Sequence, residues 1–360
     1  MPPLLALAQA KYDDYQQFSP GLRFIESLAI WLNQFDEGVE RRTAYQLIKD
    51  RLVYFSAGEV LHLIQIAFPD HLRPILMKTA AAKAGLPFFR VGPISNSPEY
   101  QRLLVQSLYV GLSDGSQVGL LRRVNPGIIR HEHTLITYDP PEQKKVDEML
   151  GEHLPEALRE LAGEEVRGDE KFKVLVLVDD FTASGISFFR HEEKDGGEPE
   201  LKGKLAKIFR KVQENRFHGL LEDGPIDVCI LFYIATPSAI ERIRRDAQAF
   251  LDEHLPDVTL HVTAVQMLGD LAEISVEDGD DLKGLLKKYV DPEKLLDKHW
   301  KKGLHEEPYL GYNQCALPVC LYHNTPNNSL PILWFYTGPL EQRTPKLKAL
   351  FPRTMRHGKQ

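Results

Sequence analysis

The stretch that decides the fold is Val174-Leu175-Val176-Leu177-Val178-Asp179-Asp180-Phe181-Thr182-Ala183-Ser184-Gly185-Ile186-Ser187. Its first five residues are all aliphatic, which is typical of a strand buried on both faces, as in a parallel sheet. Two adjacent carboxylates follow, and then a loop of small and hydroxyl residues around Gly185 that we expect to open a helix. The pattern predicts an α/β protein with a binding site at the carboxyl edge of its sheet, where ligands of open α/β sheets bind.

The two halves of this stretch favour different parts of one ligand. A loop of small residues before a helix offers backbone N–H groups to a phosphate. Asp179 and Asp180 would repel a phosphate, so they suit vicinal hydroxyls, a divalent metal or developing positive charge. A ribose 5-phosphate satisfies both halves. The simpler alternative is a strand end followed by an acidic residue that caps a helix.

The same stretch resembles the motif that binds phosphoribosyl pyrophosphate (PRPP) in type I phosphoribosyltransferases. Ser184 and Ser187 stand where that motif more often has threonine, and both keep the hydroxyl. The resemblance implies a Rossmann-like parallel-sheet core, and Asp179 and Asp180 as the catalytic pair and the Mg²⁺ site. We expect Gly185 to be needed because a side chain there would block the approach to phosphate. The residues expected to bind the 5-phosphate are Thr182, Ala183, Ser184, Gly185, Ile186 and Ser187.

A second loop follows the strand predicted at residues 108–112. In the type I phosphoribosyltransferase plan the first strand leads to a pyrophosphate loop. Arg122 and Arg123 could pair with diphosphate oxygens bidentately. The alternatives are an ordinary turn between strand and helix, and a solvated helix face for the arginines. The residues of the candidate pyrophosphate loop are Ser113, Asp114, Gly115 and Ser116.

The C-terminal segment His323-Asn324-Thr325-Pro326-Asn327-Asn328-Ser329-Leu330-Pro331-Ile332-Leu333-Trp334 is rich in asparagine and proline. It resembles the signature of a divergent phosphoribosyltransferase-like family of bacterial conflict (anti-phage) systems, which implies a role as a defence effector. We expect the segment to lie in a hood over the acceptor. The alternative is a structured turn whose amides bond the backbone. The candidate acceptor-binding residues are Asn324, Asn327, Asn328 and Trp334.

The rest of the sequence predicts that the chain consists of three segments. Residues 1–97 show helical periodicity and form a candidate docking site for a protein partner. Residues 98–265 alternate strands and helices, which indicates βαβ units and a parallel phosphoribosyltransferase-like core. Residues 266–360 would hold the hood and a basic, frayed tail. Within the core, residues 190–204 are charged and glycine-rich and predict a mobile surface insertion.

Composition limits the class of protein. The chain has 360 residues, 43% hydrophobic and 26% charged, with a net charge of -7, as in an ordinary soluble protein. Three cysteines without a CxxC pair favour a reducing compartment, and we read neither a signal peptide nor a membrane span. We expect a cytoplasmic protein. His131 and His133 would share one face of a strand, but we identify no third ligand and favour a structural role.

These features predict an enzyme that binds Mg²⁺-PRPP and transfers phosphoribose to a base, a nucleotide or a nucleic acid. Two alternatives stay open on the same fold. One is a sensor that binds PRPP or a nucleotide without turnover, and the other is an interaction protein.

Overall fold

The computed structural model describes residues 2–162, 168–192, 200–269, 280–290, 295, 300, 306–335 and 347–353. The chain divides into two compact units, residues 1–61 with 268–360, and residues 62–267. The boundaries predicted at 97 and 265 remain a prediction. Compactness places residues 62–97 in the same unit as the sheet.

The helices and strands follow one another along the whole described chain. The helices are α1 (Pro2–Ala10), α2 (Phe24–Leu32), α3 (Val39–Gln46), α4 (Ala57–Ile66), α5 (Arg73–Ala84), α6 (Val91–Ser95), α7 (Pro98–Val105), α8 (Val118–Val124), α9 (Gln143–Glu148), α10 (Leu154–Ala162), α11 (Lys204–Asn215), α12 (Pro237–His254), α13 (Asp280–Tyr289) and α14 (Pro331–Trp334). The strands are β1 (Val53–Phe55), β2 (Ser107–Gly111), β3 (Thr134–Leu135), β4 (Val174–Thr182), β5 (Arg190–Glu192), β6 (Glu200–Lys202), β7 (Ile226–Ala235), β8 (Val258–Met267) and β9 (Val319–Leu321).

The unit of residues 62–267 is built on a five-stranded parallel sheet in the order β3-β2-β4-β7-β8. All ten residues of β7 are buried, because β7 lies inside the sheet with both faces covered. At the edge of the sheet, β8 mixes buried and exposed positions. The predicted α/β fold with a Rossmann-like parallel core is confirmed.

The unit of residues 1–61 and 268–360 joins segments that are far apart in sequence. β1 pairs in parallel with β9, with Val53 opposite Val319 and Phe55 opposite Leu321. The Phe24 ring stacks on Phe351, with ring centroids 5.7 Å apart. The N-terminal helices therefore share a hydrophobic core with the C-terminal segment.

Some predicted elements differ from the structure. The sequence of residues 133–138 predicts a strand, which the structure limits to Thr134–Leu135. The apolar residues near 330–336 also predict a strand, and this prediction is wrong because Pro331–Trp334 is a helical turn. Proline at the start of that turn fixes φ in the helical range. The sequence also predicts helices near 280–302. The helix α13 covers the start of this range, and much of the rest lies outside the described residues, as does the tail from 354. Across the described chain, no helix has the length and apolarity needed to span a bilayer.

The core of the first unit can be tested at Trp31. This side chain is fully buried, and its indole N–H donates to the carbonyl of Ile332 at 3.0 Å. Trp31→Ala should lower the free energy of unfolding by about 3 to 5 kcal/mol, because it removes a large buried side chain. The neighbouring Ile30 is 43% exposed, so Ile30→Ala is the control and should change stability much less. Urea denaturation of both variants measures the difference, and equal effects would contradict the shared core.

Candidate functional site

The candidate site lies where β2 ends and β4 continues. Gly111, the last residue of β2, pairs with Val178, whereas the pairing of β4 with β7 runs on to Thr182 opposite Ala235. β4 therefore includes the acidic pair, which the sequence placed just beyond the strand. Asp179 and Asp180 are held by β7 on one side, and on the other side they face the loop that follows β2.

The strand order explains why a ligand would bind at this point. After β2 the chain continues to β3, which lies beside β2 on one side of the sheet. After β4 it continues to β7, which lies beside β4 on the opposite side. The chain therefore leaves the neighbouring strands β2 and β4 in opposite directions. This is the topological switch point of an open α/β sheet, and ligands bind in the crevice that it opens at the carboxyl edge.

The Asp179 carboxylate joins β4 to the loop after β2 and to the start of α11. Only 1% of the residue is exposed. Its Oδ1 accepts hydrogen bonds from the Ser113 hydroxyl and from the Asp180 backbone N–H, and its Oδ2 accepts one from Lys204 Nζ at 2.7 Å. Ser113, a residue of the predicted pyrophosphate loop, is thereby bonded to the predicted catalytic pair.

Burial and charge act against each other at Asp179. Burial raises the pKa of the carboxyl from 3.8 to about 6, and Asp180 adds to that rise, whereas Lys204 and the Ser113 hydroxyl act in the opposite direction. The desolvation of a carboxylate disfavours its ionised form, and a nearby cation favours it. Lys204 therefore favours the ionised form of Asp179 against the effect of burial.

The rest of the loop after β2 packs closely against Asp180 and β7. A Cβ on Gly115 would lie 2.2 Å from Asp180 Oδ2, so any larger residue there would displace the Asp180 carboxylate. The buried Tyr233 donates its hydroxyl to the Ser116 carbonyl at 2.8 Å. Asp114 is exposed. The predicted pyrophosphate loop is therefore fixed against the acidic pair by backbone contacts as well as by Ser113.

The loop after β4 has the features of a phosphate cradle. The backbone N–H groups of Ser184, Gly185, Ile186 and Ser187 have no hydrogen-bond acceptor among the described residues. Successive N–H groups in a turn form a concavity that binds anions. The start of the loop is held by Thr236, whose hydroxyl donates to the Ala183 carbonyl at 2.6 Å and whose backbone N–H donates to Thr182.

The loop does not open a helix, which corrects the prediction from the sequence. It forms one turn, in which the Phe188 N–H donates to the Gly185 carbonyl at 3.0 Å. β5 and β6 then pair as an antiparallel hairpin in the predicted insertion, of which residues 193–199 lie outside the described residues. α11 begins only at Lys204, and its first N–H groups donate to Ser187 and Phe188. The N-terminus of α11 is therefore capped by the loop.

Gly185 packs against α12, and its predicted role in the approach of phosphate stays a prediction. Its φ is +72°, which favours glycine, and a Cβ would lie 3.2 Å from side-chain atoms of Arg242 and Ile243 on α12. Substitution would thus disturb packing against α12. The same contact places the Arg242 side chain beside the cradle, where a guanidinium is suited to a phosphate.

Sequence similarity agrees with this geometry. The model of the PRTase-CE family, a phosphoribosyltransferase-like family, matches residues 28–353. The chain belongs to the PRTase-CE family. Neither the curated proteins nor the solved structures include a significant match to it. The predicted resemblance to a phosphoribosyltransferase-like family is confirmed.

Two cationic residues of this PRTase-CE site were missed by sequence reasoning. Lys204 lies 25 residues after Asp179 and beyond the hairpin, and Arg242 lies on α12. No local motif marks either residue, since each reaches the site through the folding of a separate element. A basic residue at the start of a predicted helix is a signal too common to single out Lys204.

Other predicted residues take no part in the contacts described so far. Arg122 and Arg123 are in the last turn of α8, half-buried and exposed, respectively, and their role stays a prediction. His131 is exposed while His133 is buried, and both lie in a turn before β3. They do not share a strand face.

The asparagine-rich segment belongs to the other compact unit. The Asn328 amide donates to the Tyr312 carbonyl at 3.0 Å, and the buried Trp334 indole donates to the Ser329 carbonyl at 2.9 Å. Asn324 accepts a hydrogen bond from the Thr325 N–H, and the carbonyl of Asn327 accepts one from Tyr312. These bonds support the turn, and the role of the four residues in acceptor binding stays a prediction.

The acidic side chains of the site can hold Mg²⁺ when a ligand supplies the remaining oxygen atoms. Among the described residues, no three His, Cys, Asp or Glu side chains group into a metal site. Asp179 and Asp180 offer two carboxylates at most. Mg²⁺ is commonly bound by one or two carboxylates together with substrate phosphates and waters. The pair therefore suits a Mg²⁺ ion that arrives with a diphosphate.

The contact between Gly115 and Asp180 generates a test. Gly115→Ala should weaken the binding of ribose 5-phosphate roughly 10- to 100-fold, because the new Cβ must displace the Asp180 carboxylate. Gly119→Ala on α8 is the matched control, since a Cβ there meets open space. Calorimetric titration of both variants measures the effect. Unchanged binding by Gly115→Ala would mean that the Asp180 carboxylate does not contact the ligand.

Proposed function

We propose that this PRTase-CE protein binds Mg²⁺-PRPP and transfers its phosphoribosyl group to a base, a nucleotide or a nucleic acid. One observation carries the proposal. At the switch point of the sheet, the hydrogen bond from Ser113 to Asp179 joins the loop after β2 to the acidic pair. The loop after β4 offers a phosphate N–H groups that have no acceptor among the described residues, and the acidic pair offers acceptors for hydroxyls.

The proposed reaction is substitution at C1 of the ribose. A nucleophilic atom of the acceptor forms the new bond to C1, and the bond from C1 to the diphosphate oxygen breaks. Pyrophosphate leaves with the electron pair, and the acceptor loses its proton to solvent. The ring gathers positive charge in an oxocarbenium-like transition state, as in glycoside hydrolysis. Carboxylates beside the ring stabilise that charge.

Each part of the site has a role in this reaction. The N–H groups of residues 184–187, assisted by Ser184 and Ser187 hydroxyls and by Arg242, would bind the 5-phosphate. The acidic pair would take the ribose hydroxyls and the loop of Ser113–Ser116 the diphosphate. When bound, Mg²⁺ would neutralise the charge of the leaving diphosphate. The residues that would hold it are Asp179 and Asp180.

The first prediction concerns ligand binding. Ribose 5-phosphate and PRPP should bind, PRPP more tightly with Mg²⁺ than without it, and Asp180→Asn should weaken the binding of both by about tenfold or more, because a charged hydrogen-bond partner is lost. Asp252→Asn, on the exposed side of α12, is the control and should bind like the wild type. Calorimetry that detects no binding of either ligand to the wild type would contradict the proposed function.

The second prediction separates an enzyme from a sensor. Arg122→Ala or Arg123→Ala should lower pyrophosphate release from PRPP more than it lowers nucleoside monophosphate binding, since only the diphosphate needs these guanidinium groups. Release is measured against a panel of bases, nucleotides and RNAs. Equal losses in both measurements would mean that the arginines support the fold. Tight binding of PRPP with no release for any acceptor would favour the sensor.

The segment His323–Trp334 carries the resemblance to anti-phage families, so we propose a cytoplasmic defence effector. Asn324, Asn327, Asn328 and Trp334 are the proposed acceptor residues, and the helices near the N-terminus are the proposed docking site for a protein partner.

A further inference from the structure

The segment of residues 347–353, which we call the C-terminal peptide, packs against the N-terminal part of the chain. It has the sequence Leu-Lys-Ala-Leu-Phe-Pro-Arg and contains neither helix nor strand. The residues Leu347, Leu350 and Phe351 are fully buried, whereas Lys348 is exposed. Since no regular secondary structure fixes this segment, its position is set by the surface that receives it.

The ring of Phe351 lies in a cage of four aromatic side chains from residues 15–54. Its centroid is 5.2 Å from that of Tyr15, 5.9 Å from that of Phe18, 5.7 Å from that of Phe24 and 5.8 Å from that of Tyr54. Packed aromatic pairs stabilise by more than their buried area alone. The cage is therefore a pocket that favours an aromatic side chain.

Side chains of the N-terminal part also bind the main chain of the C-terminal peptide. The Gln34 amide accepts a hydrogen bond from the Lys348 N–H at 2.7 Å and donates one to the Lys348 carbonyl at 3.3 Å. The Tyr15 hydroxyl donates to the Pro352 carbonyl at 2.5 Å. A side-chain amide has both a donor and an acceptor, so Gln34 holds position 348 through its backbone and not through its side chain.

These contacts are typical of peptide recognition. Sites that bind extended peptides use main-chain hydrogen bonds for affinity and pockets for particular side chains for specificity. Here, side chains supply the main-chain hydrogen bonds and the aromatic cage supplies the pocket. Both belong to the same compact unit as the C-terminal peptide, although they are far from it in sequence. We call this surface the peptide groove, and it consists of Tyr15, Phe18, Phe24, Gln34 and Tyr54.

We propose that the peptide groove is a binding site for a partner protein that presents an extended Leu-x-x-Leu-Phe-Pro segment. In the free protein, the C-terminal peptide is a tethered ligand that occupies the same site. The inference gives a chemical identity to the docking site expected on the N-terminal helices. It does not depend on the proposed reaction, since no residue of the groove belongs to the PRPP site.

A different protein suits the groove better than a second copy of this chain. A tethered peptide has an effective concentration on the order of millimolar. A second copy would exchange one set of contacts for an identical set, and it would also lose translational and rotational freedom. A different protein can make further contacts outside the groove, and these would offset the displacement of the C-terminal peptide.

The test measures binding of a fluorescent peptide with the sequence of residues 346–354 to the full-length protein by anisotropy. The wild type should bind this probe weakly, because the probe must displace the C-terminal peptide. Phe351→Ala should bind it at least about tenfold more tightly, because the tethered competitor has lost its aromatic anchor. Lys348→Ala is the matched control and should bind like the wild type, since Lys348 is exposed and is held by its backbone.

A second probe, in which alanine replaces the phenylalanine, tests the aromatic cage and should bind neither protein. Equal binding of the two probes to Phe351→Ala would overturn the inference. So would a folded Phe351→Ala protein that does not bind the first probe. A wild type that is a dimer by light scattering and that the first probe dissociates would place a second copy in the groove, which would overturn the assignment to a different protein.

A further variant covers the case in which Phe351→Ala does not fold. Phe351→Leu keeps an apolar side chain of similar volume, which a core tolerates better, but it removes the ring from the cage. The first probe should raise the melting temperature of Phe351→Leu, and the alanine probe should leave it unchanged. A melting temperature that the first probe does not alter at saturating concentration would overturn the inference.

Discussion

The site depends on the fact that β4 is longer than its neighbour β2. Their pairing ends at Gly111 and Val178, while β4 continues beside β7 to Thr182. The four residues beyond Val178 therefore have β7 on one side and, on the other, the loop of Ser113–Ser116 in place of a strand. This places the acidic pair on a strand inside the sheet, where side chains are held more precisely than on a loop. The loop of Ser113–Ser116 borders the crevice beside the pair.

The insertion between the phosphate loop and α11 shows how the fold tolerates added chain. A hairpin of β5 and β6 interrupts the connection, yet α11 still begins against the loop because its first N–H groups bond Ser187 and Phe188. The unsatisfied N–H groups of a helix start need acceptors, and the loop carbonyls supply them. Gly203 allows the close approach that these bonds require.

Much of the sheet could be predicted from the sequence, because the first five residues of β4 and most of β7 are apolar and rich in β-branched residues, which is typical of strands covered on both faces. The Asp179–Ser187 stretch could be placed for the same reason, since it follows such a run directly. The start of α11 and the role of Lys204 could not be predicted. Both depend on hydrogen bonds to the loop across an insertion. Pro331–Trp334 was mistaken for a strand because a short apolar run has no periodicity that separates helix from strand.

The buried carboxylate also has a cost for the fold. Asp179 has a higher pKa in the folded chain, about 6, than its ordinary value of 3.8. The folded state therefore binds the proton more tightly than the unfolded state. The contribution of Asp179 to the free energy of unfolding decreases as the pH rises from about 4 to about 6. At neutral pH the site holds a charge that opposes folding. Functional sites often retain such a cost.

The pairing of β1 with β9 makes the first compact unit discontinuous. Residues 53–55 meet residues 319–321, so the complete parallel-sheet unit of residues 62–267 is synthesised between the two halves of the other. The sheet unit can gain its core while the ribosome is still producing the C-terminal segment. Residues 1–61 cannot complete their core until then, because Phe24 and Trp31 lack their C-terminal partners. During synthesis, the N-terminal segment is therefore the part most in need of a chaperone, because exposed apolar surface invites aggregation.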